Sequence, residues 1–106
     1  MSKAGNTERS AEMLAKEIAR QAISGQTPLL LACRKIYPMI KDSLSLSREI
    51  IDVFNAISSE CDELPLGEER EHWSPSALSV KDREIEEYAE QVRPSLIEAM
   101  KELVRN

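Results

Sequence analysis

Residues 80–105 read VKDREIEEYAEQVRPSLIEAMKELVR, and their apolar side chains recur every three or four positions. Val80, Ile85, Tyr88, Val92, Leu96, Ala99, Leu103 and Val104 fall on a seam close to a heptad, the period of a packed helix rather than a strand. Glu98, Lys101, Glu102 and Arg105 take the solvated face. Pro94 lacks an amide donor, yet the seam keeps its phase on both sides, so a kink is expected and not an end. Ser74-Pro75 upstream reads as a cap followed by the proline favoured at a first helical position, opening a short turn through Leu78.

The same period runs upstream. Ala11, Leu14, Ala15, Ile18, Ala22 and Ile23 share one face, with Thr7 or Asn6 as N-cap and Gly25 as a left-handed stop. Residues 1–6 are expected to be a flexible end. Thr27-Pro28 then reads as a second cap-and-proline start. The helix it opens carries Leu29, Leu30, Cys33, Ile36, Tyr37, Ile40 and Leu44, a wide apolar face that suits a central position. Pro38 is expected to kink or break it. Residues 43–47 alternate serine and leucine but are too few for a sheet, so they form a connection with Ser45 or Ser47 capping a third helix. Ile50, Ile51, Val53, Phe54 and Ile57 make the stripe of that helix, which should end near Ser58 or Ser59.

The chain of 106 residues is expected to be one domain, 1–106, with a single modest core. Tyr37, Phe54, Trp73 and Tyr88 are its only aromatic residues, so that core is aliphatic. Short connections favour antiparallel neighbours. The expected fold is all-α: a four-helix, antiparallel up-down bundle with proline-kinked second and fourth helices and a long acidic loop, 60–74, between the third and fourth.

Charge is unevenly placed. Residues 60–71 hold six acids (Glu60, Asp62, Glu63, Glu68, Glu69 and Glu71) and one base, Arg70, which equals the whole net charge of −5. The other 13 acids and 13 bases cancel. Nucleic-acid binding needs a basic surface, so that class is set aside. The longest apolar run, residues 29–33, is far too short for a bilayer and is followed by Arg34 and Lys35, so no membrane partner is expected. With two cysteines and no leader-like segment, the expectation is a soluble cytoplasmic protein with Cys33 and Cys61 as buried thiols.

Catalytic and metal motifs are weak. His72 is the only histidine, so a two-histidine zinc site within one chain is impossible. Glu69 and His72 form one Glu-x-x-His element, which di-iron bundles need in duplicate. Cys61, Asp62 and His72 offer three ligand types, but nothing in their spacing gathers them, and the acidic stretch lacks the order of an EF-hand. A nucleophile elbow and a glycine-rich phosphate loop are both missing from a chain with three glycines. No cofactor and no catalytic residue is expected.

The acidic run from Asp62 to Trp73, with Leu64-Pro65-Leu66-Gly67 inside it, precedes Ala77-Leu78, Lys81-Asp82 and Glu84-Ile85. Together with Ala32-Cys33-Arg34, these residues resemble a family of small bacterial helical hypothetical proteins. In that family an acidic loop with a Leu-Pro step, an arginine and a tryptophan leads into a C-terminal helix bearing a Lys-Asp pair. The resemblance implies a bacterial cytoplasmic protein and carries over no activity, cofactor or site residue.

Two readings of the acidic stretch follow. Leu64, Leu66 and Trp73 pin it to the bundle while its acids face water, or it forms a partner surface in which Glu60, Asp62, Glu63, Glu68, Glu69 and Glu71 surround a partly exposed Trp73. The expected function is a non-catalytic protein-interaction module, with a homodimer through the seam of the last helix as one form. The sharper alternative is an immunity or antitoxin-like inhibitor of a basic protein, and a small metal-dependent enzyme is the rival from another class.

Overall fold

A computed structural model describes residues 3–106, with side chains from residue 10 onward. Four α-helices follow in order: α1 (Lys3–Ile23), α2 (Leu29–Ile40), α3 (Arg48–Glu60) and α4 (Pro75–Arg105), with a short 3-10 helix, Glu68–His72, before α4. No strand occurs among the described residues. Successive helices pack on each other and α1 closes onto α4. α2 and α4 also touch across the middle, so each of them meets the three other helices.

α1 begins at Lys3, ahead of the start near Thr7 that the sequence pattern suggests. Residues 1–2 lie outside the described part, and Asn6 and Thr7 lie within the helix rather than capping it. A glycine inside a helix costs only about 1 kcal/mol, and a formed helix propagates readily, so Gly5 does not stop it. Gly25 does. Its φ is +86°, the Gly25 amide donates to the Ala22 carbonyl (3.1 Å), and the Gln26 amide donates to that of Gln21 (2.8 Å). This pair of bonds is a Schellman motif, which satisfies carbonyls the helix end would leave unpaired.

α2 starts one residue later than the cap-and-proline pattern suggests. Pro28 is the N-cap residue, its ψ of 137° still extended, and its carbonyl accepts from the Ala32 amide. The Thr27 hydroxyl instead donates to the Gln21 side chain at 3.2 Å, tying α2 back to the end of α1. The helix runs through Pro38, so that proline does not break it. α3 is capped by Ser47, whose hydroxyl accepts from the Ile50 amide, and α4 by Ser74, which accepts from Ala77. α3 extends to Glu60, slightly past the expected end, and α4 continues across Pro94.

The core is aliphatic around one aromatic ring, Phe54. Ala15, Ala19, Leu30, Cys33, Ile36, Ile40, Ile51, Leu96, Met100 and Leu103 join it with almost no exposure. Four apolar positions expected inside are outside. Ile23 is 37% exposed, Leu14 51%, Val80 62% and Leu44 95%. Leu44 is not in α2 at all: the helix stops at Ile40, and residues 41–47 turn toward α3. There Leu46 is buried and Leu44 is not, so the turn does not keep the two leucines on one face as an extended serine–leucine alternation would. Ser43 and Ser45 hydroxyls both donate to the Glu12 carboxylate on α1, holding the turn in that orientation.

The seam of α4 divides along its length. Leu96, Ala99 and Leu103 are buried, with Met100 beside them, whereas Ile85, Tyr88 and Val92 are half-buried against the core. No described helix is long and apolar enough to cross a membrane.

Candidate functional site: the anchored acidic connection

The connection between α3 and α4 spans residues 61–74, one residue fewer than the stretch expected, and includes one short helical element. Glu60 is the last residue of α3, and residues 68–72 form the 3-10 helix. Between them the chain turns tightly, with the Leu64 amide donating to the Cys61 carbonyl at 3.0 Å. Cys61 and Pro65 are fully buried, and Leu64 and Leu66 pack half-buried on the core. These are the apolar anchors. Trp73 is half-buried but does not join that core layer.

Two arginines hold the connection from opposite sides. Arg34, on α2, directs Nη2 to the carbonyls of Cys61 (3.2 Å), Leu64 (3.1 Å) and Asp62 (3.5 Å), and Nη1 to Glu69 Oε2 (2.5 Å). The planar fork thus reaches carbonyls just beyond the negative end of α3, where a cation is favoured. Arg70 makes a bidentate pair with Asp82 of α4, at 2.7 and 3.0 Å, and also donates to the Pro65 carbonyl. Nothing in the local spacing singles out Arg34 or Asp82 as anchors, because their partners are distant in sequence.

The six acids therefore separate into two groups. Glu69 is taken by Arg34. Glu60, Asp62, Glu63, Glu68 and Glu71 are exposed and make no ion pair among the described residues. The hydrogen bond from Arg34 holds the Glu69 carboxyl at about 2, well below its ordinary 4.5. Asp82 is likewise lowered by its hydrogen bonds from Arg70. A depressed folded-state value contributes stability that is complete above about 4.5 and disappears as pH falls toward about 2. Urea midpoints of the wild type and Glu69→Gln should therefore converge across that interval. A gap that stays constant through it would show that Glu69 has no such role.

Beside the connection lies a cavity of about 270 Å³ between α2 and α4. Leu29, Leu30, Leu66, Ile85 and Ala89 supply its apolar walls, and the Arg70–Asp82 pair and Glu86 its polar edge. Leu66 and Arg70 belong to the connection, so cavity and acidic segment share a wall.

No family model, curated protein or solved structure matches this chain.

Cys61 is buried while His72 is exposed, and among the described residues no group of three or more His, Cys, Asp or Glu side chains is arranged to hold an ion. Cys33 and Cys61 are free and buried. Burial pushes their thiols up to about 12 and about 11, so both stay protonated at neutral pH and are poor nucleophiles and ligands.

Proposed function

We propose that this chain is a non-catalytic protein-binding module whose acidic connection meets a basic protein. One observation carries the reading: five carboxylates, Glu60 at the end of α3 and four on the segment that two arginines, Pro65 and Cys61 hold in place, stand exposed and outside any described ion pair. An anchored surface has little conformational entropy left to lose on binding, and a localised negative field speeds and orients a cationic partner. The concrete form is an inhibitor of the immunity or antitoxin kind, covering a cationic site meant for a polyanion. We read the bundle as antiparallel, in a cytoplasmic setting that suits two buried free thiols. A homodimer through α4 would have Ile85, Tyr88 and Val92 available, since Leu96, Ala99 and Leu103 are buried within the chain.

The test begins with capture of partners from the native cell and then measures association of the isolated pair. Glu60→Gln, Asp62→Asn, Glu63→Gln, Glu68→Gln and Glu71→Gln are combined, leaving Glu69 to hold the connection. Association should slow by about tenfold or more at low salt in this variant, and the wild-type rate should fall steeply as salt is added. Association indifferent to salt, or equal in the two proteins, would remove the acidic connection from the function.

A further inference from the structure

We propose that the cavity between α2 and α4 receives an aliphatic side chain from a basic amphipathic helix of the partner, while lysine or arginine residues of that helix meet Glu86 and the acids of the 3-10 helix. This rests on the preceding reading and gives its partner a chemical class.

Size and charge select this occupant. About 270 Å³ leaves room for an inserted side chain. Its walls, Leu29, Leu30, Leu66, Ile85 and Ala89, make burial of an aliphatic group favourable. An apolar anion such as a fatty acid fits the walls but not the entrance. Arg70, the only cation lining the cavity, already donates to Asp82 through both terminal nitrogens and to the Pro65 carbonyl. Glu86 makes no ion pair among the described residues, so the uncommitted charge at the lip is negative. Glu68 and Glu71 sit exposed on the same short helix as Arg70, outside the cavity lining itself. An apolar anchor flanked by cations is the complement, the pattern of a helix laid in a groove.

Three synthetic helical peptides test this against the full chain: one of lysine and leucine, one with serine in place of leucine, and one with glutamate in place of lysine. The Lys/Leu peptide should bind and move the methyl signals of Leu30, Leu66 and Ile85. Ala89→Leu, which fills the cavity, should weaken that peptide at least about tenfold and leave the Lys/Ser peptide unaffected. Glu86→Lys, a surface change that spares the core, should also weaken the Lys/Leu peptide. Should Ala89→Leu fail to fold, the methyl shifts and Glu86→Lys decide the matter. Unmoved methyl signals, or equal binding of the Glu/Leu peptide, would overturn the proposal. If the cavity variant binds normally while the five-acid variant does not, the cavity is excluded and the acidic surface stands. If the five-acid variant binds the Lys/Leu peptide normally, the acidic-surface reading falls too.

Discussion

Replacing Phe54 with alanine is expected to lower stability by about 3–5 kcal/mol, the usual range for deleting a buried ring. Phe54 has no exposed surface and is among the largest fully buried side chains, on a helix that packs against both α2 and α4. The Cys33 thiol donates to its carbonyl at 3.6 Å, and Ile36, Ile51, Leu96 and Met100, members of the same core cluster, are all fully or almost fully buried. The vacated space would therefore close only in part, and interiors at crystal-like density lose contacts wherever a gap remains. A domain stable by about 5–15 kcal/mol would be left marginal or unfolded. Urea denaturation gives the answer. A loss below about 1 kcal/mol would mean the core repacks freely.

Arg34→Ala should be the most damaging change at a residue that is not apolar. Three carbonyls, of Cys61, Asp62 and Leu64, would lose their donor together, and hydrogen bonds from a charged group contribute about 1.5–3 kcal/mol where the site is partly buried. A loss of about 2–3 kcal/mol is expected, with faster amide exchange at Leu64. Arg34→Lys should recover little, because a single ammonium cannot reach Glu69 and the carbonyls as a planar fork does. Full recovery by lysine, or unchanged exchange at Leu64, would show that the apolar contacts alone hold the connection.

The distribution of charge and the helical period were readable without coordinates. Ser47 and Ser74 cap as their positions suggest, Gly25 stops α1, and the stripe of α3 from Ile50 to Ile57 faces the core. Local rules suffice there because each signal and its partner lie within a turn or two. They fail where the partner is remote. Glu69 differs from its five acidic companions only through Arg34, which lies 35 positions earlier. Leu14 and Leu44 have the right residue type for a core, but exposure is decided by where α1 meets its neighbours and by the Glu12–serine contacts that turn residues 43–45. Thr27 shows a competition between two local uses of one hydroxyl, settled in favour of Gln21.

The uneven burial of α4 has a kinetic consequence. Every fully buried side chain of this helix lies between Leu96 and Leu103, so the preceding twenty or so residues are secured mainly by half-covered contacts and the Arg70–Asp82 clasp. Such a helix can detach its leading half while its trailing half stays docked. That opening would part the Arg70–Asp82 clasp while Arg34 and the buried Cys61 and Pro65 keep the preceding connection on α2 and the core.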